Sequence, residues 1–209
     1  MKNTKILATA AVVAIAAGCA HMGGSDDGAA TRAKALAMMK ASFKEHGQAK
    51  LDRLDQDELQ KACSQAHGQP LDKDVAERLE KAQLATVKYP ADGKLMGDWK
   101  AGERLAQTGV GMQYSDDPKA PTGGNCYACH QLTKAELSFG TIGPSLYNFG
   151  KVRGFTAEMQ KYAYGKVYNP DAFSACSSMP RFGLHGILTE KQMQDVVALL
   201  MDPESPVNK

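Results

Sequence analysis

Cys126-Tyr127-Ala128-Cys129-His130 is the stretch of this chain whose residue types and spacing most clearly carry chemistry. Two thiols three positions apart, followed at once by an imidazole, have the spacing of a c-type haem attachment site. Each thiol can add across one vinyl group of the porphyrin. The imidazole beside the second thiol then meets the iron from one face. Two other chemistries also use a C-x-x-C. A redox dithiol of the thioredoxin kind wants a strand before it and a helix after it, whereas Asp116 to Asn125 is rich in Asp, Pro and Gly and makes turns. A zinc site wants a second ligand pair, and the sequence has no further C-x-x-C or H-x-H.

An imidazole on iron needs a partner for its other ring nitrogen, which a carbonyl or carboxylate normally supplies. Gly140-Thr141-Ile142-Gly143-Pro144-Ser145-Leu146 offers a rigid turn of the G-P-x-L form used in c-type cytochromes. The Pro144 carbonyl would accept from His130, and Leu146 would lie against the ring. On the opposite face the iron needs a sixth ligand. Met179 stands just before Pro180 in a loop, and the proline disfavours helix at Met179. A thioether there favours ferrous iron and closes the coordination sphere, as an electron carrier requires. Of the competitors Met112, Met159, Met193 and Met201, the first two lack that proline-marked loop, and Met193 falls on an apolar helical face. His185 is the alternative ligand.

Three cysteines remain. Cys19 ends the segment Ala16-Ala17-Gly18-Cys19, which has the form of a bacterial lipoprotein box, with Ala16 where a large aliphatic residue is usual. The competing reading is an ordinary signal peptide that happens to contain a cysteine. Cys63 and Cys176 are an even pair in an exported chain. They are either a disulfide beside the Met179 loop or two free thiols.

Several elements must position these groups. Residues 1–18 read as a signal peptide, with Lys2 and Lys5 before a short apolar run from Ile6 to Ala17. That run is too short to span a bilayer. Residues 19–30 form a Gly/Asp/Ser-rich tether. From 31 to 94 the pattern is a helical extension, with apolar stripes Leu36, Met39, Phe43; Leu51, Leu54, Leu59, Cys63; and Val75, Leu79, Ala82, Val87. His46 and His67 read as surface residues. Residues 95–209 read as the haem domain. Asp98 caps a helix running to about Gln107, and short helices are expected over 154–163 and 171–176. Thr189 and Gln192 form a capping box for a last helix with Met193, Val196, Val197 and Leu200 on one face. The fold class that follows is all-α: a cytochrome c-like domain with one covalently bound haem c, plus the N-terminal helical extension.

The formal net charge of +2 over 209 residues excludes an electrostatic nucleic-acid binder, and no basic block occurs. Residues 123–132, 140–146 and 176–183, with Gly186 to Glu190 and the Leu200 to Asn208 tail, resemble the SoxX family, the monohaem cytochrome c subunits of the thiosulfate-oxidising Sox pathway. The resemblance runs from about Gly97 to Asn208 and leaves the extension without a role. It implies a periplasmic heterodimer with SoxA, whose own haem and cysteine join thiosulfate to a SoxYZ carrier cysteine, in the manner of an L-cysteine S-thiosulfotransferase. This chain would be the non-catalytic electron-transfer subunit, passing electrons to a downstream acceptor cytochrome. Cys126 and Cys129 would hold the porphyrin, His130 and Met179 the iron. Arg181 and Phe182 would face the haem edge or the partner. Lipidated Cys19 would add a membrane anchor. A free-standing respiratory electron carrier uses the same site and stays open. A peroxidase or gas sensor needs an open iron position, which Met179 would close.

Overall fold

The computed structural model describes residues 28–209. The expected signal peptide 1–18, Cys19 and the part of the expected tether before Gly28 lie outside the described residues. Two compact units divide the chain, Met1–Lys44 and Glu45–Lys209. In the first, the described part is helix α1 (Gly28–Ser42), which buries no residue. Its stripe of Leu36, Met39 and Phe43 is exposed.

The second unit carries six α-helices: α2 (Glu58–Gln65), α3 (Lys73–Leu84), α4 (Trp99–Gln107), α5 (Phe149–Arg153), α6 (Ala157–Tyr168) and α7 (Glu190–Met201). Single 3-10 turns add Leu51–Leu54, Cys126–Ala128, Pro170–Ala172 and Pro206–Asn208. No strand occurs among the described residues; His46 and Ala49 form one isolated bridge. None of the described helices is long and apolar enough to cross a membrane.

Caps explain where the helices begin. Asp98 accepts the Lys100 N–H at 2.9 Å and starts α4. Asp57 and Gln60 form a reciprocal box at α2, as Thr189 and Gln192 do at α7. α4 packs chiefly against α7. Gly102 makes this crossing close, because a Cβ there would overlap the Asp195 backbone. The buried Asp195 carboxylate accepts the Asp98 N–H at 2.7 Å and seats the start of α4. Met193, Val196, Val197 and Leu200 are all buried, as the apolar stripe predicts, and Leu199 and Met201 join them. Burying each such side chain contributes about 1.5–3 kcal/mol. With Leu105, Tyr164 and Tyr168 they form one core cluster.

Two expected helices differ. α6 begins at Ala157, where the Thr156 side chain caps it, and runs on to Tyr168. Tyr162, Tyr164 and Tyr168 therefore lie within a helix; Gly165 is tolerated because Tyr89 and Phe173 pack over its bare Cα. Around Asp171 there is only the turn Pro170–Ala172, since the Asp171 carboxylate is engaged by Ser177 and Arg181.

The all-α class stands, but the expected cytochrome c-like domain built around a covalently bound haem is corrected to a helical unit whose core is made of its own side chains. Among the described residues no group of three or more His, Cys, Asp or Glu side chains could hold a metal ion. The core is closed by α4, α6 and α7 packing side chain on side chain, with Cys126 at its margin. Residues 45–94 belong to the same compact unit as the rest: the Asn169 side chain donates to the Gln83 amide oxygen at 2.8 Å, and the Ala175 N–H donates to Glu80 at 2.8 Å.

Candidate functional site

The thiol-bearing turn grows out of the end of α4. The N–H groups of Gly124 and Asn125 donate to Leu105 and Thr108 carbonyls at 2.9 and 2.8 Å. Asn125 then adopts a left-handed conformation (φ 47°), which Asn tolerates better than most residues. Cys126–Ala128 is one 3-10 turn, and the His130 N–H closes back on the Cys126 carbonyl at 2.9 Å.

The segment 140–146 lies alongside this turn in steady register. Gly140 donates to Tyr127, Gly143 to Cys129 and Leu146 to Gln131, each at 2.8 Å. Glycine is required twice. A Cβ at Gly140 would overlap the Ala128 carbonyl, and one at Gly143 would overlap the His130 ring. The His130 Nδ1 lies 2.7 Å from the Pro144 carbonyl oxygen. A carbonyl only accepts, so Nδ1 carries the proton, and Nε2 is the nitrogen left with a lone pair for a metal. Ser145 supports the turn by donating to the Gln131 amide oxygen at 2.9 Å.

Cys126 and Cys129 are free thiols, both half-buried. Burial, with lesser repulsion from Cys129 and Glu103, pushes the Cys126 thiol up to about 12. It is therefore protonated at neutral pH, unlike the low-pKa thiolate of a redox dithiol. Tyr127 between them is buried and donates to Glu103 at 3.0 Å. Burial first, then the Glu103 charge, raises this phenol to about 12. The sequence assigns no role to Glu103 or to the tyrosine within the C-x-x-C, because only the fold brings α4 and this turn together.

Large apolar side chains remain uncovered beside this turn. Leu137 is 89 % and Ile142 79 % exposed, and both flank the residues that bond Tyr127 and Cys129. A cleft of about 570 Å³ opens next to them, lined by Asn125, Tyr127, Ala128, Phe139 and Gly140 among others.

Met179 belongs to a second cleft of about 400 Å³, which it lines with Leu59, Cys63, Cys176, Arg181 and His185. The structure thus brings Cys126, Cys129, His130 and Pro144 together, with Leu146 on the core side. Met179 packs against the same core from its own loop, and His185 shares that loop's cleft. Cys63 and Cys176 are joined in a disulfide with Cα atoms 5.5 Å apart. Arg181 and Phe182 are buried within this unit, at 6 % and 8 % exposed. Arg181 is ion-paired with Asp57 and with Asp171, whose carboxylate lies 2.6 Å from Nε. His46 and His67 are exposed.

No known protein-family profile matches the chain. An uncharacterized lipoprotein of Aquifex aeolicus (strain VF5) is 44 % identical over 156 residues, covering 74 % of this chain and 73 % of that protein. Identity at this level over most of both chains means a common fold and a common descent. The chain belongs to the family of that Aquifex aeolicus lipoprotein.

Proposed function

We propose that this protein is an envelope electron carrier of the SoxX kind, with one haem c bound through Cys126 and Cys129. The observation that carries the reading is the His130 ring, held by Pro144 at 2.7 Å with Gly143 pressed beneath it, next to two free thiols. The donor set fits the group: two thiols for two thioether bonds, and an imidazole whose Nε2 is free of the Pro144 bond. Leu137 and Ile142 provide apolar surface suited to a porphyrin rim. Haem supplies a one-electron ferric/ferrous couple when bound.

The chain's own residues set the conditions for that couple. Pro144 fixes the ring orientation and tautomer of His130 and raises its basicity. Met179 would hold the iron together with His130, and a thioether ligand would raise its potential. Cys126 stays protonated until it is consumed in attachment. The lipoprotein relative supports a lipid-anchored, envelope-associated protein; Cys19 would carry the lipid, and the haem-bearing unit would face the periplasm.

In this reading SoxA is the partner, thiosulfate coupling to a SoxYZ cysteine takes place on that partner, and an acceptor cytochrome takes the electrons onward. The test is reconstitution of the haem-loaded chain with SoxA and SoxYZ. Thiosulfate should reduce the haem only when both proteins are present. Reduction by a respiratory donor, with no response to thiosulfate and its partners, would instead identify a free-standing carrier.

A further inference from the structure

Residues 45–94 have no role from resemblance, yet they reach the Met179 loop at two points. Cys63, in α2, is joined to Cys176, three residues before Met179. Asp57, the cap of α2, is ion-paired with Arg181, two residues after it. The loop is therefore gripped on both sides of Met179 by one short helix.

A third tie comes from Asp171. Its Oδ1 accepts the Ser177 N–H at 2.9 Å, and its Oδ2 pairs with Arg181 Nε at 2.6 Å. The Ser177 hydroxyl in turn accepts the Met179 N–H at 3.3 Å. Arg181 is almost fully buried, so its guanidinium must keep both carboxylates nearby to offset lost hydration. Leu59, 2 % exposed, fixes α2 itself and lines the same cleft as Met179. Cys176 has a left-handed backbone (φ 61°), a strained conformation for a non-glycine residue that the surrounding ties must hold.

We infer that α2 is a clamp that positions the Met179 thioether, with Asp57, Cys63 and Arg181 as positioning residues. The inference rests on the haem reading, because positioning matters only if Met179 meets iron. Its mechanical part does not depend on that reading.

The experiment compares the haem-loaded full chain with Cys63→Ser/Cys176→Ser, Asp57→Asn and Asp57→Glu variants. Asn keeps the helix cap while removing the charge. Hydrogen exchange of amides 176–182 reads the clamp, and the near-infrared sulfur-to-iron absorption reads the ligand. Exchange in the loop should quicken at least tenfold in the serine double variant and severalfold in Asp57→Asn, while amides 140–146 keep their protection. The sulfur-to-iron band should be lost in the double variant at a temperature where helical circular dichroism persists, with Asp57→Glu restoring part of what Asp57→Asn loses. Loop exchange that rises only in step with 140–146 would overturn the clamp. Fast loop exchange with an unchanged band would overturn Met179 as the clamped ligand. A chain that carries no haem under maturation would overturn the haem reading, and the exchange arm would still decide the clamp.

Discussion

The two loops that carry the proposed iron ligands are held by opposite means. His130 sits in a turn fixed by main-chain bonds to a neighbouring segment, at 127 with 140, 129 with 143 and 131 with 146, each 2.8 Å. Met179 sits in a loop fixed by side chains: a disulfide, a doubly paired arginine and one serine hydroxyl. Main-chain lacing needs small residues so that backbones can approach, hence Gly140 and Gly143. Side-chain ties reach further and draw on distant sequence. The first loop is a local design and the second a tertiary one.

The largest expected effect separates them by removing the disulfide. The bond spans 113 residues of sequence, for which the chain-entropy view gives about 5 kcal/mol as an upper figure, engineered and native losses commonly falling below it. Cys63→Ser/Cys176→Ser should lower stability by about 3–4 kcal/mol in urea titration of the unit 45–209. Next in size is the opposite lesion. Gly143→Ala forces a methyl group into the His130 ring and should cost about 2 kcal/mol, with the His130 ring resonances shifted and the Met179 loop unmoved.

Asp57→Asn should cost about 1 kcal/mol, because Asp171 still pairs Arg181 and Asp57 is partly exposed to screening solvent. The same residue gives the smallest effect, in acid. Partial burial works to raise the Asp57 pKa, but hydrogen bonds from Arg181 and the Gln60 N–H, with the Arg181 charge, outweigh it and leave the carboxyl lowered. A carboxyl depressed on folding contributes stability above its unfolded pKa, near 4, and loses it as pH falls through the folded value. Wild-type stability should therefore drop more steeply below pH of about 4 than that of Asp57→Asn.

This contrast also explains what the sequence made legible. The helix caps at Asp98 and Thr189, the apolar stripe of α7 and the pairing of His130 with Pro144 are all written in residues close together along the chain. Near neighbours obey short-range rules. Of the clamp, the disulfide arm is legible as a pairing of the two spare cysteines, but the ionic arm is not, because nothing near Arg181 announces Asp57, which lies 124 residues away. A charged residue beside a phenylalanine reads as surface, and only burial between two carboxylates turns Arg181 inward. The extent of α6 was missed for a related reason: Tyr and Gly are weak helix formers, and burial of Ala163, Tyr164 and Val167 overrides their propensity. Haem attachment at the thiols is the claim on which the functional reading turns.

That claim is tested most directly by the intact mass of the protein, produced in a host that matures c-type cytochromes. The account predicts a mass increase of one haem per chain, retained after denaturation and acid extraction and abolished in Cys126→Ala/Cys129→Ala. A chain at its unmodified mass, with both thiols still open to alkylation, would contradict it.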